Sequence, residues 1–310
     1  MTTHFSRSFK AMGSLCELQL YTQEQSRSDE VFEDLIGEVS RLEEKYSRYK
    51  PTSVISQINS AAGQGTPVSV DNETMQLLDY ADTLFVESDG MFDITSGVLR
   101  EVWDFRSARL PSEAEVRSVT PLIGWQHVDR GDAHIYLPQQ GMQIDFGGFA
   151  KEYAVDVLAA RCIDHDIQHG IVNLGGDVRV IGPHPDGAPW RVGIQHPRAP
   201  TKVIAVVEVS HGAVATSGDY ERFMVVDGKR YCHLLNPETG RSIHPQFASV
   251  SIMADSCLVA GSFSTLAMLK GDDAAAWVES TGLPHLLVDQ SLHLSGTVHP
   301  GSDTSATHEP

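Results

Sequence analysis

Between residues 170 and 254 the chain passes through short β-rich runs, GIVNL, VRVIG, VIAVVEVS, RFMVVDGKRYCHLL and ASVSIMA, divided by Gly, Pro and Asp-Gly punctuation. Runs so short and so closely spaced specify a mainly antiparallel sheet, because parallel pairing would need long crossovers between them. The Asp227-Gly228 pair predicts a hairpin, since both residues tolerate the backbone of a tight two-residue turn. Residues 15 to 21 add a half-buried strand, with Cys16, Leu18 and Leu20 on one face and Glu17, Gln19 and Tyr21 on the other. A helix follows, in which Val31, Phe32, Leu35, Val39, Leu42 and Tyr46 recur at three- and four-residue spacing, and Asp29 and Glu30 suit its positive N-terminal end. Further helices are predicted over 72 to 88, 149 to 163, 255 to 270 and 273 to 281, and more β-rich sequence over 132 to 146. Strands and helices come in blocks, which favours an α+β fold of largely antiparallel sheets flanked by helices over a doubly wound one.

With 310 residues, 41% of them hydrophobic, the chain can bury a full core. Residues 1 to 295 are read as one domain, or two closely joined lobes, and 296 to 310 as a disordered tail, because GSDTSATHEP has too few apolar groups to order itself. Cys16, Cys162, Cys232 and Cys257 are scattered without a C-x-x-C pair, so they are expected to be core thiols rather than a zinc site or a disulfide framework. A formal charge of -18 repels nucleic acid and anionic lipid. No stretch is apolar enough to span a membrane, and MTTHFSRSFKAMGS lacks the apolar run of a secretory signal. The expected location is the cytoplasm, or the periplasm for a protein that has lost a leader.

Five segments carry Gly, small hydroxyl residues and acids where a core would not want them: AMGS at 11–14, SDGMFDITSG at 88–97, IDFGGFAKEY at 144–153, NLGGDVRVIG at 173–182 and ATSGDYERF at 215–223. Each alone is equally a tight turn. Together they suggest backbone N–H groups brought up to an anion. IDFGGFAKEY fits best, with a strand ending at Asp145, Gly147-Gly148, and then a helix bearing Lys151 in its first turn. In YCHLLNPETGR, His233 is either a satisfied sheet residue or a general base.

In order and content these segments resemble the FAD:protein FMN transferase family, formerly called thiamine-biosynthesis lipoproteins. The matches are Met12-Gly13-Ser14, SRYKPTS at 47–53 with Asn59, G-x-FD-x-T at 90–95, D-x-GG-x-AK at 145–151, NLGGD at 173–177, PW-x-V-x-I at 189–194, TSGDY at 216–220 and H-x-x-x-P-x-TG at 233–240. The resemblance implies a flavin transferase-like fold. It also implies transfer of FMN from FAD to a Thr or Ser hydroxyl of an acceptor protein, with release of AMP. On this reading Met12, Tyr49, Met91, Phe92, Asp93, Asp145, Lys151 and Leu235 line the FAD site, with Asp93 and Asp145 holding ring or ribose hydroxyls. His233 is the catalytic histidine. A magnesium ion lies near the Gly148 carbonyl and Thr265.

The late A-D-x-x-x-T motif departs from the pattern. It reads AGSFST, with Gly261 where the family has Asp, and Glu152 and Asn236 stand where Gly and Asp are usual. The expectation is weaker magnesium binding than in relatives with the full motif, strengthened by Gly261→Asp. Three arrangements stay open: Glu152 or another acid supplies the ligand, Lys151 alone neutralises the diphosphate, or the ion is not held. Two other activities also stay open, a flavin-binding homologue with weakened catalysis and an FAD hydrolase giving FMN and AMP.

Overall fold

The computed structural model describes residues 2–107, 109–299 and 301. In chain order its elements are β1 (Thr3–Ala11), β2 (Ser14–Thr22), α1 (Gln25–Tyr46), α2 (Val54–Ser60), β3 (Val68–Ser69) and α3 (Asn72–Glu87). A 3₁₀ segment, Ile94–Glu101, precedes α4 (Glu113–Val119), β4 (Asp129–Gly131), β5 (His134–Tyr136) and α5 (Ala150–Asp164). Then come β6 (Gly170–Leu174), β7 (Asp177–Gly182), β8 (Trp190–Gln195), β9 (Val203–Val209), β10 (Gly212–Gly218), β11 (Phe223–Val226), β12 (Lys229–Cys232) and β13 (Phe247–Ala254). The chain closes with α6 (Cys257–Leu269), α7 (Ala274–Thr281), β14 (His285–Asp289) and β15 (Leu294–Gly296).

The central sheet runs β1-β2-β6-β7-β10-β13-β14-β15, and every neighbouring pair is antiparallel. Helices α1, α5 and α6 pack on one face. The apolar stripe of α1 is buried at Val31, Phe32, Leu35, Val39, Leu42 and Tyr46, as its spacing requires. That helix begins at Gln25, so Asp29 and Glu30 fall beyond its first turn, and Asp29 instead pairs with Arg7 of β1. The opposite face is covered by the β8–β9 ribbon, whose Trp190, Val192, Ile194 and Val207 meet Ile171, Val178 and Val180 in a second core. A third core joins Val98, Leu99 and Trp103 to Val119 and Met224. It seats the 3₁₀ segment against the β11–β12 hairpin. That hairpin turns at Asp227-Gly228 with both φ angles positive, the geometry the pair favours.

All four cysteines are buried and free. Among the described residues no helix is long and apolar enough to cross a membrane. Two expectations change. Of the run from 132 to 146 only His134–Tyr136 becomes strand, and Ile144-Asp145-Phe146 is a loop rather than a strand end, tied down by Asp145 N–H donating to the Ile94 carbonyl at 3.0 Å. At the other end, β15 reaches Gly296, and Thr297 and Val298 N–H groups donate to the His285 carbonyl. The remaining tail, residues 302–310, lies outside the described residues.

Candidate active site

The β1–β2 and β6–β7 turns, the 3₁₀ segment, the loop entering α5 and the foot of the β11–β12 hairpin enclose a cavity of about 930 Å³. Met12, Tyr49, Met91, Phe92, Asp93, Asp145, Gly148, Lys151, His233, Leu235 and Thr265 all border it. Residues scattered over most of the sequence are thus gathered around one space.

Two tight turns form one wall. Met12 and Gly13 have φ of 49° and 73° between the paired Ala11 and Ser14, and the Met12 N–H donates to Glu43 Oε2 of α1 at 3.0 Å. Gly175 has φ of 63°, and a Cβ there would lie 2.6 Å from the Ser14 Cβ, so only glycine lets the two turns meet. Tyr49, just after α1, is 76% exposed, an aromatic ring held at the rim with little packing of its own. Met91 Sδ accepts from Asn236 Nδ2 at 3.7 Å. Asn236 Oδ1 accepts the Glu238 and Thr239 N–H groups at 2.9 and 2.8 Å, so this residue builds its turn as an Asp would. The turn places Leu235, which bridges Ser242, beside the cavity.

Phe92 is mostly core. Its ring packs 6.3 Å from that of Phe149, and a Cβ at Gly148 would lie 2.8 Å from its Cζ. Asp93 is buried, and its carboxylate is engaged by Thr95 N–H and Oγ1 at 2.7 and 2.6 Å and by Trp125 N–H at 3.1 Å. Burial pushes this carboxyl up, while those donors work the other way. Its task in the structure is to cap the 3₁₀ segment. Asp145 Oδ2 accepts from Arg48 Nη1 at 3.2 Å, and its Oδ1 takes the Gly147 N–H at 2.9 Å. The Gly147-Gly148 turn therefore does not present every amide to a ligand, since Phe149 and Ala150 also donate to the Phe146 carbonyl.

Electrostatically the cavity has two ends. At one, Lys151 in the first turn of α5 is bound to Asp177 of β7. Burial opposes its charge, but Asp177 and Glu152 outweigh burial and hold the ammonium above its usual range. Glu152 is buried, and Oε2 has no hydrogen-bond partner. Burial, then the negative charge of Asp177, pushes this carboxyl well above the usual carboxylate range against the pull of Lys151. At the other end His233 follows β12, and its backbone N–H donates to the Arg222 carbonyl at 2.9 Å. Its ring Nδ1 is buried without a partner. Burial, reinforced by the positive charges of Arg100 and Arg222, pushes the imidazole down to about 4. His233 thus carries an uncharged imidazole whose Nδ1 makes no hydrogen bond. Arg100, Arg222 and Glu43 carry no recognisable motif, and sequence reasoning missed them.

A family model described as the ApbE family matches residues 12–287. The chain belongs to the ApbE family. It is 29% identical over 256 residues to the FAD:protein FMN transferase of Vibrio cholerae serotype O1, covering 81% of this chain and 76% of that protein. The ApbE protein crystal structure from Thermotoga maritima superposes with a TM-score of 0.86 at 31% identity over 95% of this chain and 97% of that one. The flavin transferase ApbE from Vibrio cholerae superposes at 0.84 with 25% identity, over 98% and 99%. An α+β fold of antiparallel sheet flanked by helices is therefore the ApbE fold.

For this ApbE chain the late motif on α6 takes a particular form. Gly261 and Thr265 are one helical turn apart, on the same face. A Cβ at Gly261 would lie 2.4 Å from Glu152 Cγ and 3.0 Å from Oε1. The space that a side chain at position 261 would need is occupied by Glu152, so an Asp there has no room while Glu152 is present. Thr265 Oγ1 and Ser264 Oγ are each 2.8 Å from Ser217 Oγ of β10. Among the described residues no three His, Cys, Asp or Glu side chains are grouped to hold a metal. The donors at hand are instead hard oxygens of mixed type: an unpartnered carboxylate oxygen at Glu152, the Thr265 hydroxyl and the Gly148 carbonyl. That set fits Mg²⁺, which is bound through one or two carboxylates with water and substrate phosphate completing its shell.

Proposed function

We propose that this protein moves FMN from FAD onto a Thr or Ser hydroxyl of an acceptor protein and releases AMP. The observation that carries the reading is the convergence of the flavin-site residues, a neutral histidine and a half-buried cation on one cavity large enough for a dinucleotide. The isoalloxazine lies against Met12 and Tyr49, where thioether and aromatic surfaces offer apolar, polarizable contact to a flat ring. The diphosphate lies toward Lys151 and the loop at Gly148. Asp145 meets a ribityl or ribose hydroxyl.

In the reaction the acceptor oxygen attacks the FMN-side phosphorus, the bond from that phosphorus to the AMP phosphate oxygen breaks, and the hydroxyl proton leaves the acceptor. His233 Nδ1, neutral and unpartnered, takes that proton. Lys151 contributes a fixed positive charge, held in place by Asp177. A magnesium ion held by Glu152, Thr265 and the Gly148 carbonyl would offset the diphosphate charge and favour departure of AMP. Burial, helped by the charges of Arg100 and Arg222, keeps the imidazole unprotonated and able to take that proton.

Incubation with FAD, Mg²⁺ and an acceptor peptide carrying a single Thr separates this reading from the two others. FMN-bearing peptide with an equal amount of AMP is expected. FMN and AMP without labelled peptide would mean hydrolysis, and bound FAD without products would mean a flavin carrier; either overturns the proposal.

A further inference from the structure

We propose that in this protein the carboxylate of the divalent-metal site comes from Glu152 on α5, reaching into the volume that a side chain at position 261 of α6 would occupy. The inference rests on the transferase reading above and assigns a residue within it. Three observations carry it. Glu152 and any side chain at 261 exclude each other, because a Cβ at Gly261 would sit 2.4 Å from Glu152 Cγ. One carboxylate can occupy that place, and here it is rooted in the opposite helix.

Second, Glu152 is only 9% exposed, and its Oε2 has no hydrogen-bond partner. A buried carboxylate oxygen without a donor is unfavourable, and a divalent cation would complete it. Its neighbour Lys151 does not do so, for its ammonium is bonded to Asp177 and faces the Gly175 carbonyl at 3.5 Å. Third, the surroundings suit a divalent ion. Glu152, Asp177 and Glu221 border the cavity together with Lys151, so carboxylates outnumber that ammonium. Thr265, one helical turn beyond Gly261 on the same face of α6, borders the same cavity, with its hydroxyl 2.8 Å from Ser217 Oγ.

The test uses Mn²⁺ as the probe, titrated by electron paramagnetic resonance into the full chain with FAD bound. Wild type, Glu152→Gln and the exchanged pair Glu152→Gly/Gly261→Asp are compared. Glu152→Gln should weaken Mn²⁺ by about tenfold or more, the effect of losing a ligand charge, while leaving FAD affinity in EDTA unchanged. The exchanged pair should recover most of the lost affinity, because it returns one carboxylate to the same volume. Thermal melting in EDTA shows that each variant is folded, and the near-isosteric Gln guards against a packing artefact. Equal Mn²⁺ affinity in wild type and Glu152→Gln, or no Mn²⁺ binding by wild type, overturns the assignment even if FMN is transferred. Glu152-dependent Mn²⁺ binding without transfer would leave the assignment standing and sink the functional reading instead.

Discussion

The protonation state of His233 is the most exposed part of the mechanism. Its imidazole sits at about 4, roughly 2.5 units below an ordinary histidine, because burial and then Arg100 and Arg222 disfavour the cation. At about 1.4 kcal/mol per unit, charging His233 in the folded protein is opposed by at most about 3.5 kcal/mol. The folded value is depressed, so the stability linked to this group is fully present above pH 6.5 and is lost as pH falls through 4. For catalysis the same shift means that free enzyme carries the active base across the neutral range. The kcat/KM profile should therefore show no acid limb from His233 between pH 5 and 8. FAD brings two phosphate charges beside the two arginines and so raises the imidazole value, placing the acid limb of kcat above that of kcat/KM. His233→Gln should lower kcat by about 10²- to 10⁴-fold. It should change thermal stability little, since the Nδ1 atom it removes has no partner. The readouts are pH-rate profiles on both proteins and an NMR titration of the ring. A kcat/KM limb at or above pH 6.5 that disappears in His233→Gln would refute this electrostatic account.

Three further outcomes follow from the packing. Gly261→Asp by itself should not tighten metal binding; crowding against Glu152 Cγ at 2.4 Å should cost about 1–3 kcal/mol, read from denaturant midpoints. Lys151→Met leaves the buried Asp177 without its cation and should lower stability by about 3 kcal/mol in the same assay, besides abolishing turnover. Tyr49→Ala with Met12→Ala should weaken FAD about tenfold by fluorescence quenching, and Tyr49→Ala alone should leave the melting temperature unchanged, since Tyr49 is 76% exposed and contributes almost nothing to the core. Unchanged FAD affinity in that double variant would remove the ring site from Met12 and Tyr49.

Much of the fold was legible because it obeys simple periods. The stripe from Val31 to Tyr46 and the helices α3, α5, α6 and α7 appear within a few residues of their expected bounds. The elements that escaped are those whose burial is one-sided or brief. In β1, THFSRSFKA places Phe5 and Phe9 on one face but exposes most of its length at the sheet edge, so alternation is weak. Helices α2 and α4 have seven residues each, too short for a periodic signal, although Ser53 and the Ser112–Glu115 capping box mark their starts. The site was legible only as a set of motifs in order; no single Gly-rich turn identifies it. The sequence offered Glu152 only as one of several open substitutes for the missing Asp; that it fills the space beside Gly261 could not be read from a linear sequence, because that depends on α5 and α6 packing side by side. The depressed imidazole of His233 was equally hidden, since Arg100 reaches it from the far end of the 3₁₀ segment.

The central claim is that one cavity holds FAD between the β1–β2 turn and the loop entering α5. A crystal structure of this protein with FAD and Mg²⁺ tests it most directly. The account predicts the isoalloxazine against Met12 and Tyr49, the diphosphate facing Lys151 and Gly148, and the FMN-side phosphorus within reach of a hydroxyl that can donate to His233. FAD bound outside this cavity, or inside it with the diphosphate away from both Lys151 and His233, would contradict the account.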